Sequence, residues 1–138
     1  MKLVEGIDAV AFASVEQAAF RDPWAPADFG SQPHRLGLAL FDDDRCISYI
    51  YGQCLLDEAE IFRIGTRPEH RRRGLAARIL ADFVDRVRTE SATCVLLEVS
   101  SENRGAVAFY DRAGFREVGR RCDYYAPGED ALLMRRDI

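Results

Sequence analysis

The sequence predicts a mixed α/β (α+β) fold in which a central sheet of about six to seven strands is flanked by helices. Residues 35–65 contain three strand-like segments separated by short acidic turns. Residues 74–88 then follow the 3.6-residue period of an amphipathic helix, and residues 93–99 form a nearly continuous apolar run. This change of period indicates a meander of strands that a crossover helix connects to a further strand of the same sheet.

The first helix is predicted over residues 8–20, with Asp8 as its N-cap. The residues expected on its apolar face are Ala11, Val15, Ala18 and Ala19. Pro23 and Pro26 end this helix because neither can continue it, and a short helical turn through Phe29 is expected to follow.

Three strands are predicted next. Residues 35–41 alternate between apolar and other side chains, and the three aspartates at 42–44 supply a turn. Residues 46–55 and 59–65 then form the second and third strands of an antiparallel meander.

The second half of the chain alternates helices and strands. The amphipathic helix over 74–88 precedes the apolar strand over 93–99, which we expect to be covered on both faces. Another helix is predicted from Asn103 to Ala113, with Gly114 as its C-terminal stop. The two strands that complete the sheet are predicted at residues 115–125 and 131–135.

Composition limits the classes of function. With 138 residues, 48% of them apolar and 30% charged, the chain is expected to form one globular domain over 1–138. Its longest apolar runs are shorter than the roughly 20 residues of a membrane helix, and its N-terminus does not resemble a secretory signal, so we expect a cytoplasmic protein without a membrane partner. The net charge of −4 argues against nucleic-acid binding.

No metal site is predicted. The four cysteines form no C-x-x-C pair, and free thiols are favoured over disulfides. The two histidines, His34 and His70, are expected at the surface without partners at metal-ligand spacing.

A basic segment precedes the amphipathic helix. Arg71, Arg72 and Arg73 stand where the partial positive charge of a helix N-terminus favours acidic side chains. Gly74 allows close approach of a ligand to the backbone, and Ala76 keeps the first turn uncrowded. Because such local conflicts often mark functional sites, this pattern predicts a bound phosphate or pyrophosphate. The alternative is a solvated basic loop.

Two motifs resemble those of the GNAT acetyltransferases. Arg71-x-x-Gly74-x-Ala76 is similar to the acyl-coenzyme A signature of that family, Q/R-x-x-G-x-G/A, with alanine in place of the commoner glycine. Tyr110-x-x-x-Gly114-Phe115 resembles the end of the family's A-x-x-x-Y-x-x-x-G-F segment.

Further segments resemble the RimI subgroup of that family, whose members acetylate the N-terminal alanine of a small-subunit ribosomal protein. They are Asp22-Pro23-Trp24, Leu56-Asp57-Glu58-Ala59 and Arg120-Arg121-x-x-Tyr124-Tyr125. Ala77 departs from the subgroup, which often has arginine there.

The resemblance implies acetyl-CoA as the cosubstrate and a peptide or protein N-terminus, on a ribosomal protein, as the acceptor. The residues it implies for coenzyme binding are Ile64, Gly65, Thr66, Arg71, Arg72, Arg73, Gly74, Leu75, Ala76, Ala77 and Asn103. Asn103 is otherwise explained as a helix N-cap. Trp24, Tyr124 and Tyr125 are expected to line the acceptor groove, or alternatively to be ordinary packing residues.

The resemblance also implies a catalytic pair, with Glu98 as the base and Tyr110 as the acid that protonates the departing sulfur. Glu98 interrupts an apolar strand, and burial there would raise the pKa of its carboxyl group. The alternatives are a strand-end carboxylate paired with an arginine for Glu98 and a core aromatic for Tyr110.

Two other functions fit the same motifs. One is acetylation of a small-molecule amine or antibiotic. The other is a non-catalytic acyl-CoA-binding partner of another protein.

Overall fold

The computed structural model describes residues 1–138 and contains one seven-stranded sheet with three α-helices. The strands are β1 (Lys2–Glu5), β2 (Arg35–Asp42), β3 (Arg45–Leu55), β4 (Glu58–Thr66), β5 (Cys94–Ser100), β6 (Arg116–Ala126) and β7 (Glu129–Asp137). The helices are α1 (Ala9–Ala19), α2 (Leu75–Thr89) and α3 (Arg104–Arg112). The predicted α/β class is confirmed, and the strand that the sequence did not predict is β1.

The strands lie in the order β1-β2-β3-β4-β5-β7-β6. All neighbouring strands are antiparallel except β4 and β5, which are parallel. Helix α2 makes the connection between these two, as a parallel pair requires a crossover. The last two strands do not follow chain order in the sheet, because β7 and not β6 pairs with β5.

The parallel pair is short. Residues Glu58–Ile61 of β4 pair with Cys94–Leu97 of β5, although β4 continues to Thr66 and β5 to Ser100. Beyond Ile61 and Leu97 the two strands no longer pair, which opens the sheet between them.

A β-bulge lies at the same point of β4. Tyr51 of β3 pairs with Arg63 and its neighbour Gly52 pairs with Ile61, so Phe62 is the extra residue. A bulge of this kind directs two consecutive side chains to one face. Phe62 and Arg63 accordingly both lie on the face that packs against α1.

The sheet separates two hydrophobic clusters. The larger one packs α2 against β2 to β5 and β7, and its helix side is formed by Leu75, Ile79, Leu80, Phe83, Val84 and Val87. The smaller one packs α1 and Phe29 against Tyr49 and Tyr51. No helix is both long and apolar enough to cross a membrane.

The apolar face predicted for α1 is wrong in part. Its buried residues are Phe12, Ala13, Val15 and Glu16, whereas Ala18 is exposed. The helix turns the large Phe12 ring toward the sheet, where the ring stacks on Tyr49 at a centroid distance of 4.8 Å. Asp8 is the N-cap, as predicted, and its carboxylate accepts a hydrogen bond from the Ala11 N–H group at 3.0 Å.

The bulge predicts the effect of a small substitution. A Cβ atom on Gly52 would lie 2.1 Å from the Glu60 carbonyl oxygen and 3.0 Å from the Phe83 ring. Gly52→Ala should therefore lower the free energy of unfolding by about 1–3 kcal/mol, as measured by urea denaturation.

Gly105→Ala is the matched control, because a Cβ atom there has no atom within 4 Å. It should leave the unfolding free energy unchanged or slightly higher. Equal effects of the two substitutions would show that the close approach at the bulge is unimportant.

Candidate active site

A cleft of about 740 Å³ lies where the sheet opens, between the end of β4, the N-terminus of α2 and one side of α3. It brings together most of the residues predicted for coenzyme binding and catalysis. Those that line it are Ile64, Gly65, Thr66, Arg71, Arg72, Gly74, Leu75, Ala76, Ala77, Asn103 and Tyr110. Arg73, Glu98, Trp24, Tyr124 and Tyr125 do not line it.

The N-terminus of α2 forms one end of the cleft. Gly74 is the N-cap residue, with a φ of 73°, and no side chain caps the helix. The first-turn N–H groups of an uncapped helix have no intrahelical partners. Arg72 also has a positive φ, of 63°, so the loop before the helix is tightly wound. Free N–H groups at a helix start provide an anion-binding site without any side chain.

The three arginines are not equivalent. Arg71 and Arg72 line the cleft, whereas the exposed Arg73 does not. Arg71 also donates a hydrogen bond from Nη2 to the carbonyl oxygen of Ala19, at 3.3 Å, which links the loop to the end of α1. The cleft therefore has two of the three cations at its anion-binding end.

The edge of β4 forms the other end of the cleft. The buried Ser48 hydroxyl donates to the Gly65 carbonyl at 3.0 Å and lies 2.9 Å from the Thr66 hydroxyl. Gly65 is required by space, because a Cβ atom there would lie 2.9 Å from the Tyr49 ring and 3.0 Å from the Phe20 ring. These contacts with β3 fix the end of β4 on one side, and its other side faces the cleft.

Tyr110 reaches the cleft from α3. Its ring is buried, with 6% exposure, and packs edge-to-face on Phe109 and Phe115. Burial raises the pKa of the Tyr110 hydroxyl to about 12. The side chain is therefore both a core aromatic and a cleft residue, and its hydroxyl stays protonated throughout the neutral range.

Asn103 has two roles in the structure. It is the N-cap of α3, where its side-chain oxygen accepts a hydrogen bond from the Ala106 N–H group at 3.2 Å. The N-cap alternative is therefore confirmed. Asn103 lines the cleft as well, so capping fixes its position there.

The expected burial of Glu98 is wrong. Val95, Leu97 and Val99 of β5 face the larger hydrophobic cluster, whereas Glu98 lies on the opposite face and is exposed. No side-chain ion pair holds it, which also excludes the predicted alternative of an arginine partner. Its negative charge contributes, after burial, to the raised pKa values of Glu60 and Tyr125.

Two of the residues predicted for the acceptor groove lie on β6, an edge strand of the sheet. They are Tyr124 and Tyr125, which are 54% and 49% exposed and contact each other edge-to-face. Trp24 is half-buried and packs on Phe29 and Tyr51. Packing thus accounts for part of the Trp24 surface but for little of the two tyrosines.

The cleft contains residues that the sequence did not identify. Phe20 and Phe109 supply apolar wall, and Arg112 adds a third cation from α3. His70, expected at the surface, lines the cleft and has a buried Nδ1 atom without a hydrogen-bond partner. In the sequence Arg112 is marked only by its position two residues after Tyr110. This spacing does not distinguish a residue that contacts a ligand from one on a solvated helix face.

Comparison with known proteins agrees with this geometry. The profile of the acetyltransferase (GNAT) family matches residues 6–115. The [ribosomal protein bS18]-alanine N-acetyltransferase of Salmonella typhimurium is 37% identical over 97% of this chain and 94% of its own length.

Solved structures show the same fold. The ribosomal-protein-S18-alanine N-acetyltransferase of Escherichia coli superposes with a TM-score of 0.89 at 28% identity, over 99% of this chain and 94% of that one. An aminoglycoside 6'-N-acetyltransferase complexed with coenzyme A has a TM-score of 0.79 at 13% identity, over 99% and 97% of the two chains.

The difference between the arginines predicts an outcome for coenzyme A binding. Replacing both Arg71 and Arg72 with glutamate should weaken binding at least about tenfold, because the lost charge-assisted contacts are together worth more than about 1.4 kcal/mol. Isothermal titration with coenzyme A, supported by thermal shifts, measures this change.

Arg73→Glu is the control, since it reverses a neighbouring charge outside the cleft. Its affinity should fall much less. If all the charge reversals weakened binding in proportion to charge alone, general electrostatics and not this cleft would hold the phosphates.

Proposed function

This chain belongs to the acetyltransferase (GNAT) family, and from that membership we propose that it transfers the acetyl group of acetyl-CoA to the N-terminal α-amine of a protein, namely the alanine of a small-subunit ribosomal protein. The observation that carries the proposal is the cleft that joins an uncapped helix N-terminus to the buried Tyr110. The similarity to the Salmonella typhimurium alanine acetyltransferase, which extends over 97% of this chain, supports the choice of acceptor. In this proposal residues 1–138 act as one domain.

Coenzyme binding is assigned to the two ends of the cleft. The N–H groups at the start of α2, with Arg71 and Arg72, would bind the pyrophosphate. The β4 edge at Ile64–Thr66 and the side chain of Asn103 would contact the pantetheine arm. Backbone N–H groups along that edge can stabilise negative charge on the thioester oxygen during attack.

The reaction requires a neutral amine, although an α-amino group has a pKa near 7.7–8.0. Glu98 would accept the amine proton, directly or through a water molecule, as the nitrogen forms a bond to the carbonyl carbon. When the carbon–sulfur bond breaks, Tyr110 would give its proton to the sulfur and later regain one from solvent. Glu98 and Tyr110 lie on opposite faces of the sheet, so amine and thioester would meet at the opening between β4 and β5.

The acceptor side is assigned to Trp24, Tyr124 and Tyr125, which would line a groove for the peptide N-terminus. The high exposure of the two tyrosines leaves their faces available for an extended peptide. A panel of peptides that differ in their first residue tests this assignment, with acetylated product detected by mass spectrometry.

An alanine-first ribosomal peptide should be the best acceptor in that panel. Preference for a small-molecule amine would indicate the alternative acceptor, and acetyl-CoA binding without coenzyme A release for any amine would indicate a non-catalytic binding protein.

Catalytic substitutions give a second test. Glu98→Gln and Tyr110→Phe should each lower kcat by about 10²-fold or more, the usual scale of lost acid–base catalysis. Coenzyme A affinity and thermal stability should stay close to those of the unchanged protein. Glu117→Gln, an exposed carboxylate paired with Arg120 on β6, is the control and should retain full activity. Wild-type rates in both catalytic variants would refute the assignment.

The pH dependence follows from the raised pKa of Tyr110. A phenol with a pKa of about 12 keeps its proton when the solution is alkaline enough to deprotonate the amine. The profile of kcat/KM should therefore rise toward alkaline pH and show no falling limb below about pH 10. A falling limb near pH 9 that disappears in Tyr110→Phe would contradict this expectation.

A further inference from the structure

A buried carboxylate lies behind the candidate active site and takes no part in the proposed reaction. Glu16 of α1 has no exposed side-chain surface. It accepts hydrogen bonds from the Trp24 backbone N–H at 2.8 Å, from Arg63 Nη2 at 2.8 Å and from the Tyr49 hydroxyl. A buried charge needs this degree of compensation to be tolerated. Glu16 therefore connects α1, the segment that follows it, β3 and β4 at one point.

Arg63 is the cation of this cluster. The β4 bulge directs it toward α1, and its guanidinium group lies over two aromatic rings, 4.6 Å from the Phe20 centroid and 5.2 Å from the Trp24 centroid. Arg63 Nη2 also lies 3.4 Å from the Asp22 carbonyl oxygen, to which it donates. One guanidinium group thus contacts three places between Phe20 and Trp24.

The segment 20–24, which we call the wall, contributes one residue to the coenzyme cleft and one to the proposed acceptor groove. Phe20 lines the coenzyme cleft and packs where a Gly65 side chain would be. Trp24, four residues later, is the residue assigned to the acceptor groove. The position of this segment therefore affects the place where the two substrates would meet.

We propose that Arg63 is a positioning residue for the acceptor, acting through the ion pair with Glu16 and the two aromatic contacts to hold the wall 20–24. This inference rests on the proposed transfer to a peptide N-terminus. It predicts that loss of Arg63 weakens acceptor binding far more than coenzyme A binding, because Arg71 at the phosphate-binding end is linked to Ala19, ahead of the wall, and not to Arg63.

This role requires chemical properties that arginine has and lysine lacks. A planar guanidinium group can form a two-point contact with a carboxylate while both of its faces stack on rings. Lysine keeps the charge and so still compensates Glu16, but it has neither the flat faces nor donors on two nitrogen atoms held in a fixed planar geometry. Arg63→Lys should therefore remain folded and yet release the wall.

The experiment compares Arg63→Lys, and the double variant Arg63→Gln with Glu16→Gln, which removes both charges together, with the unsubstituted protein. Trp24 is the only tryptophan, so intrinsic fluorescence reports on the wall directly. The KM of an alanine-first peptide reports on the acceptor side, and the Kd of coenzyme A reports on the phosphate end. Arg116→Gln, which breaks an exposed ion pair with Asp137 on β6 and β7, is the matched control.

In both variants we expect a red-shifted Trp24 emission, a peptide KM raised about tenfold or more, and a coenzyme A Kd within about twofold of the original. The kcat at saturating peptide should change by less than about threefold, and the control should change none of these quantities. A purely structural role would instead lower thermal stability and active fraction, with the peptide KM unchanged in both variants.

Two results would overturn the inference. One is an unchanged peptide KM in folded Arg63→Lys, and the other is an unchanged Trp24 emission in both variants. If the unsubstituted protein releases no coenzyme A with the peptide, the proposed acceptor is wrong, which is distinct from failure of the Arg63 role.

Discussion

The early end of the parallel pairing between β4 and β5 is the constraint on which the rest of the site depends. Four residue pairs join the strands, after which each strand keeps its antiparallel partner on the other side. The backbone groups of β4 beyond Ile61 that would have paired with β5 are then free to face a ligand. The same opening admits Tyr110 from α3, which could not reach an edge of β4 in a continuous sheet.

The charged groups on the two sides of that opening differ in how their charge is compensated. Glu16 is an anion whose compensation is complete within the protein, because Arg63, Tyr49 and the Trp24 N–H group surround it. At the start of α2 the positive N-terminus has no capping side chain and is closely preceded by Arg71 and Arg72. Compensation there must come from outside the chain. The first arrangement stabilises the scaffold, and the second is where we propose that the ligand binds.

Tyr110 and Glu98, the proposed acid and base, lie in different environments. The phenol is buried in the hydrophobic cluster and retains its proton, whereas the carboxylate lies on the open face of β5 in contact with solvent. If Tyr110 is the acid and Glu98 the base, as proposed, a buried acid near the thioester and a solvated base near the amine suit a transfer that crosses the sheet. Desolvation of Glu98 is therefore not a property of the protein alone, and an acceptor covering β5 would have to supply it.

Much of this protein could be predicted from its sequence, because the signals are local. The period of α2, the N-caps Asp8 and Asn103 and the N-cap position of Gly74 depend on residues within a few positions of one another. The order of elements after β1 therefore followed from the chain alone, as did the basic segment before α2 that we propose as an anion site. Other properties depend on contacts that are distant in sequence. Glu16 and Arg63 are 47 residues apart, and their pairing set the buried face of α1. The exposure of Glu98 depends on which face of β5 the helices cover, and the difference between Arg73 and its neighbours depends on how the loop winds before α2. Only the tertiary structure decides these, because burial and pairing are properties of neighbours that the local pattern does not specify.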